Sequence, residues 1–539
     1  MRTVYFNRKS LFLLLVVIGI SVLCIITILN SNNDNNNTLK SNDNNKILTN
    51  SENTPINIKD INVRKKLVKN NIDNKKAEFI KKMMKHAWDG YKKYAWGANE
   101  LNSIHKMASS QEIFGGPKMP ATIVDAADTL YIMDMMKEYK EAEEYLFKNF
   151  KASDAIRNLS VFEMTIRFIG GFLSLFALTG KETYKIFAKN VADILIVSFN
   201  SPTGLPYNVV TPKDNRTMNY GWVTNNAHIL ADVGTLHLEF DYLSNITGDS
   251  NYRNKVINVR NIIEKQKKVD NLYGLYLSKD DGHFVTREVS LGAMGDSFYE
   301  YLLKEWLISN KKDTIAYDMY KEASKNIRKK MIIKSKGNFT YLVELKNGKI
   351  LNKMSHLSCF SVGMFALEAY HSTDENEKKE IMELAEELGN TCYHSYKLSK
   401  TGLGPEMFHF DSTKDATSST GEVQYFLRPE VIEGIYYLYK LTGNDKYKEW
   451  NWEIAQNIEK WCRNDAGYHG LRNVYNPEAG YDPTQQSFFL AETLKYLYLT
   501  FVNDKIPLDK SKNINNRELV KKMFYHGKIN NFSKKCLKC

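Results

Sequence analysis

The strongest constraint on what this chain folds into is a stop signal that it repeats. Three segments share it: Leu175-Phe-Ala-Leu-Thr-Gly-Lys-Glu-Thr-Tyr184, Asp241-Tyr-Leu-Ser-Asn-Ile-Thr-Gly-Asp-Ser-Asn-Tyr252 and Leu438-Tyr-Lys-Leu-Thr-Gly-Asn-Asp-Lys-Tyr447. In each, an apolar run ends at Thr-Gly and a tyrosine follows four residues after the glycine. Glycine takes the left-handed conformation that ends a helix, and the tyrosine pins the first turn of the next one, so the unit is a helical hairpin. Gly180, Gly248 and Gly443 lie 68 and 195 residues apart, the second interval being close to three of the first. At that period the part of the 539-residue chain beyond residue 75 holds about seven hairpins, enough for an open superhelix or a closed ring. With only 11 prolines and 29 glycines, an all-β sandwich or barrel is excluded.

The first 75 residues are of another kind. Leu11 to Leu29 carries no charge and is long enough to span a bilayer core, with Arg2, Arg8 and Lys9 before it. That bias predicts a cytosolic tail at 1–10, a transmembrane signal anchor at 11–29 and everything after it in the lumen. A cleaved signal peptide would leave the rest of the chain in the same compartment. Residues 30–75 are rich in Asn, Asp and Lys and poor in aromatics, which predicts a flexible luminal stem. A helical domain over 76–505 and a basic tail over 506–539 complete the organisation. The net charge of +12 is scattered rather than gathered into one arm, which argues against a nucleic-acid partner. Sequons at Asn36, Asn158, Asn215, Asn245, Asn338 and Asn531 agree with a luminal chain. Of six cysteines, Cys359 and Cys392 form the best disulfide pair, closing a loop that restrains the unfolded chain by roughly 3–4 kcal/mol.

Chemistry is signalled by acids that interrupt apolar helices. Glu163 and Arg167 stand one turn apart in Val161-Phe-Glu-Met-Thr-Ile-Arg-Phe168, where a plain ion pair is the simplest account. Asp296 follows a Gly-rich turn, as an N-cap would. Glu430 and Glu433 share one face behind Pro429, Glu406 follows another proline, and Glu239 and Glu492 sit inside apolar runs. Each alone has a structural reading, but a buried acid is costly unless it does chemistry or coordinates something. Together they predict a carboxylate-lined axial pocket, which favours the closed ring. Carboxylates interleaved with Phe, Tyr and Arg are the equipment of a glycoside hydrolase, with one acid protonating the leaving oxygen and another activating water. No Walker loop, His-Glu-x-x-His or Gly-x-Ser-x-Gly competes with that reading.

At this level the chain resembles the class I α-1,2-mannosidases, glycoside hydrolase family 47, over about 82–502. The likeness rests on Ala95-Trp-Gly-Ala-Asn-Glu-Leu101, Ala121-Thr-Ile-Val-Asp-Ala-Ala-Asp-Thr-Leu-Tyr131, Val161 to Arg167, Gly295-Asp-Ser-Phe-Tyr-Glu-Tyr-Leu302, Arg428-Pro-Glu430 and Ser487-Phe-Phe-Leu-Ala-Glu492. It implies an all-α (α/α)7 barrel and inverting hydrolysis of terminal α-1,2-linked mannose on high-mannose N-glycans. It makes Glu163 the general acid, Glu430 the general base, and Asp296 and Glu406 the other acids of the catalytic ring. Arg167, Arg428, Glu239, Glu433, Phe488 and Glu492 then hold the terminal mannose, and Cys359 with Cys392 matches the family disulfide.

The resemblance also implies one calcium ion (Ca2+) held partly by a threonine. Here Asn516 falls at that position, which implies a weaker, degenerate site. Two further departures are Asn99 and Ser355, where the family has Asp. Met294 makes the segment more similar to the Golgi subgroup than to the ER subgroup, and the implied location is a Golgi or endoplasmic reticulum membrane, single-pass type II. Oligomeric state stays open. The alternative is a mannosidase-like lectin of ER quality control with little or no catalysis.

Overall fold

The computed structural model describes residues 58–502 apart from 412–414 and 419–420, with side chains from Asp73 onward. Among the described residues, helices alternate between an inner and an outer layer. Inner helices Ala121–Ile132, Asp296–Ile308, Phe360–His371 and Glu430–Thr442 are each followed by an outer partner, Met136–Asn149, Thr314–Lys330, Glu375–Lys397 and Asp445–Trp461. Val161–Thr179 is another inner rod, paired with Glu182–Leu195. A broken inner helix, Leu230–Gly234 then His237–Thr247, pairs with Ser250–Lys265.

The seventh hairpin joins the two ends of the fold: the last inner helix, Leu494–Phe501, packs on the first outer helix, Ile58–Tyr94. Each inner helix also touches the next, and the first meets the last, so the layer closes into a ring. At the seam Lys495 reaches Asp128 at 2.8 Å, and Thr129 donates to the Ala491 carbonyl.

The layers follow from composition. All twelve residues of Ala121–Ile132 are buried, as expected of an element packed on every side. The outer Thr314–Lys330 instead buries one stripe, Ala316, Met319, Tyr320, Ala323, Ser324 and Ile327, and shows lysines to solvent. Val161–Thr179 is long and apolar enough to cross a membrane but is buried inside the domain, as an inner rod must be. Gly180, Gly248 and Gly443 cap their helices with φ of 67°, 76° and 68°, and Tyr184, Tyr252 and Tyr447 are buried beside them, so the stop signal is what it was read to be. Cys359 and Cys392 are bonded, tying the fifth inner helix to its outer partner.

One boundary differs from the sequence reading. The first helix starts at Ile58, inside the 30–75 segment read as flexible stem. Its docked face begins at Lys76 and Ala77, and Lys76 pairs with Glu449 at 2.7 Å while Lys448 pairs with Asp73. The segment is poor in aromatics but has no proline between Ile58 and Tyr94, so once the later turns dock nothing stops the helix from propagating backward. The anchor at 11–29 and the tail at 506–539 lie outside the described residues.

Because hairpins alternate direction, every inner helix runs the same way and all their N-termini gather at one end of the ring. Short antiparallel pairs tie the loops there, such as Glu100–Asn102 with Thr484–Gln485, Leu159–Ser160 with Val209–Thr211, and Lys353–Ser355 with Met407–His409.

Candidate active site

The acids named from sequence sit at those converging N-termini, where the helix dipoles favour negative charge. Glu163 follows Ser160, whose hydroxyl caps the Glu163 amide at 3.2 Å. From Met164 to Ile169 the backbone widens into a π-helical turn, a rare feature concentrated at functional sites. It carries Arg167, which donates to Glu163 at 2.7 Å, Asp125 at 3.2 Å and Ser487 at 3.1 Å. The guanidinium lies 5.6 Å from the ring centre of Phe114 and 5.5 Å from that of Phe488. The pair expected to be a simple i,i+4 bridge is therefore buried and wired into other elements. Burial pushes the Glu163 carboxyl up to about 7 against the opposing pull of Arg167. Asp232, bonded by Asn208 at 2.8 Å and electrostatically coupled to Glu163, is likewise raised to about 7 by burial.

Glu430 is held differently. His356 Nδ1 meets Glu430 Oε2 at 2.8 Å, and its Nε2 meets the Tyr396 hydroxyl at 2.6 Å. Glu430 Oε1 is buried with no partner among the described residues. Arg428 grips Glu406 through both oxygens, at 2.6 and 2.7 Å. Leu427 before it has φ 61°, a conformation a branched residue adopts only when its surroundings impose it. Met294 repeats this at φ 75° before Gly295 and Asp296. Asp296 is not an N-cap: Gly295 holds that place, and Asp296 Oδ1 takes the Ser297 amide at 2.7 Å. Burial raises Asp296 to about 8 and leaves Oδ2 unpartnered among the described residues.

Deeper along the same helices, Tyr301 donates to Glu239 at 2.8 Å and Tyr496 to Glu433 at 3.0 Å. Glu492 lies in a second π-turn, Phe489–Thr493, and feels Glu433, Glu430 and Arg167. The ten residues expected to bear on catalysis and mannose are thus all buried and linked into one network. Asn516, the expected calcium ligand, lies outside the described residues.

The sequence reading passed over Asp125, Glu300, Glu100, Asp232, His356 and Ser487. Asp125 and Glu300 meet the same criterion as the acids it chose, a carboxylate in an apolar helix; Glu100 is in a three-residue strand, Asp232 in the short first piece of the broken helix, and His356 and Ser487 at helix entries, all too short to give a periodic signal. The two departures from family pattern are structurally absorbed. Asn99 donates its amide to the Gly116 carbonyl at 3.0 Å and the Met119 carbonyl at 2.6 Å, contacts an aspartate could not make. Ser355 bonds Ser358, capping the turn that leads to Cys359.

The pocket offers hard oxygen atoms without gathering its acids into a ligand set. Glu239 Oε2, Asp296 Oδ2, Glu300 Oε2, Glu430 Oε1 and Glu492 Oε1 are each buried without a partner among the described residues, hard oxygens of the type calcium prefers, but no three of them stand at metal-ligand spacing. The group with metal-ligand spacing among the described residues lies elsewhere, at His237, Glu305 and Asp313. There, however, Arg260 contacts Asp313 at 2.6 Å and His237 at 3.3 Å, so a cation already stands among the three.

Fold and site together define a glycoside hydrolase. The chain belongs to glycosyl hydrolase family 47, whose model matches residues 83–518. It is 51% identical over 444 residues to the mannosyl-oligosaccharide 1,2-alpha-mannosidase mans-2 of Caenorhabditis elegans, covering 82% of this chain and 75% of the relative. To human mannosyl-oligosaccharide 1,2-alpha-mannosidase IB it is 46% identical over 442 residues, covering 82% and 69%. Among solved structures, an α-1,2-mannosidase from Trichoderma reesei superposes with a TM-score of 0.74 over 82% of this chain and 96% of the other, at 23% identity, a likeness of fold.

Proposed function

We propose that this protein is a mannosyl-oligosaccharide α-1,2-mannosidase that removes terminal α-1,2-linked mannose from high-mannose N-glycans with inversion. One observation carries the mechanism. A carboxyl raised to about 7 by burial, Glu163, shares a pocket with a second carboxylate, Glu430, held by His356 with one oxygen unspent. Glu163 is placed to donate its proton to the glycosidic oxygen as the bond breaks. Glu430 Oε1 is the atom that takes a proton from the attacking water on the opposite face of the sugar, and His356 keeps that oxygen aimed.

Asp296 and Glu406 complete the acid ring, Glu406 by fixing Arg428. Arg167, Arg428, Glu239, Glu433, Phe488 and Glu492 hold the terminal mannose, with carboxylates accepting from its hydroxyls and Phe488 against its apolar face. Calcium, with Asn516 in place of a threonine among its ligands and the buried acids around it, would supply a fixed charge for ring hydroxyls and water. The intact acid and base speak for turnover over a purely lectin role. Purified protein should release free mannose from a high-mannose glycan; a chelator should stop it and added calcium restore it, over a range where a complete site would already be saturated. Glycan binding without release of mannose would establish the lectin instead.

The chain is further proposed to be a single-pass type II protein of the Golgi or ER membrane, anchored by 11–29 with its catalytic domain luminal. In sealed microsomes the large domain should resist added protease and become sensitive on detergent lysis. Its digestion from the cytosolic side would refute this topology.

A further inference from the structure

Two buried acids of the pocket are held in the same unusual way. Glu239, on inner helix His237–Thr247, accepts from Tyr301 on the next inner helix, Asp296–Ile308, at 2.8 Å. Glu433, on Glu430–Thr442, accepts from Tyr496 on the next inner helix, Leu494–Phe501, at 3.0 Å. In both, a phenol from the following helix binds Oε1 of the acid, and all four residues are at most 4% exposed. Three other acids of the pocket are held by cations, Glu163 by Arg167, Glu406 by Arg428 and Glu300 by Lys304, while Asp296 takes the Ser297 amide and Glu430 meets His356.

The chemical difference decides what each acid is free to do. A guanidinium or ammonium partner neutralises the carboxylate and competes for it with anything that enters. A phenol fixes the rotamer and satisfies one lone pair without bringing a positive charge of its own, and burial raises both carboxyls to about 8. Glu239 Oε2 has no partner among the described residues, as that arrangement requires. We infer that Tyr301 and Tyr496 are positioning residues, which fix the rotamers of Glu239 and Glu433 toward the terminal sugar and its surroundings without setting a cation on them. This inference rests on the proposed function of the pocket.

The fold supplies an internal control. Tyr320 donates to the buried Glu368 at 2.8 Å, the same kind of bond, but Tyr320 is on an outer helix and Glu368 also takes Ser324. Tyr301→Phe, Tyr496→Phe and Tyr320→Phe therefore remove equal hydroxyls, two at the pocket and one away from it. In the full chain all three should lower Tm by a few degrees at most. The two pocket variants should raise KM for a high-mannose glycan, and the calcium concentration needed for half-maximal activity, about tenfold, equivalent to one lost hydrogen bond. Calcium binding measured by calorimetry should weaken in parallel. Tyr320→Phe should leave KM and calcium affinity unchanged.

The inference is overturned if the pocket variants keep wild-type KM and calcium affinity, or if all three variants change these in proportion to Tm. Glu433→Gln separates the two levels of the claim. Activity retained in Glu433→Gln undoes the reading of the pocket itself; activity lost there while Tyr496→Phe is silent undoes only the role of the tyrosine.

Discussion

Glu430→Gln should reduce kcat by about three orders of magnitude, the middle of what a positioned base contributes, while mannose binding and Tm stay near wild type. The substitution is close in shape, and an amide can still pair with the His356 Nδ1 that now meets Oε2 at 2.8 Å. What it removes is the basicity of Oε1, an oxygen buried with no partner among the described residues. Single-turnover kinetics on a high-mannose glycan, set beside a binding isotherm for the same glycan, make the test. Wild-type turnover would transfer the base role elsewhere in the acid ring.

The second large effect concerns the opposite face of the sugar. Burial raises Glu163 to about 7, so the carboxyl is protonated below that pH and loses its proton above it. An acid catalyst works only while protonated, so kcat/KM should fall as pH rises through about 7. Glu163→Gln should lower kcat for glycans by about two to four orders of magnitude and erase that alkaline limb. With a mannosyl fluoride, whose departing fluoride needs no proton, much of the loss should be recovered. A full defect on the fluoride as well would move the acid role to Asp296, which burial raises to about 8.

What was legible in the chain depended on how locally each feature is encoded. Three hairpins announce themselves because Gly180, Gly248 and Gly443 take the left-handed cap. Others turn on Asp134 at φ 56° or on Asn310 and Lys311 at 60° and 62°, residues with no such signature, so only the period could count them. Acids in apolar helices stood out for the same local reason, and Asp125 and Glu300 show that the criterion was sound but incompletely applied. His356 was not legible, because its role exists only through Glu430, 74 residues away. Nor were the π-turns at Met164–Ile169 and Phe489–Thr493, which keep the composition of ordinary helix and shift register only where neighbours demand it.

The seam of the ring also governs the order in which the molecule assembles. The helix that completes the inner layer, Leu494–Phe501, packs on the helix that opens the domain, Ile58–Tyr94, so the closing contacts span nearly the whole domain. Such long-range closure comes late, after the local hairpins have formed. On a ribosome delivering the chain from its N-terminus, six hairpins emerge as an open arc whose first outer helix still lacks its partner. Until residue 501 appears, Asp128 has no Lys495 to meet, and the acid-lined face stays exposed at a free edge. A fold of this kind gains nothing from early domain completion, and it is vulnerable for the full length of its synthesis. A chain cut before Leu494 should accumulate as this open arc, with every acid up to Glu433 in place and the ring still unclosed.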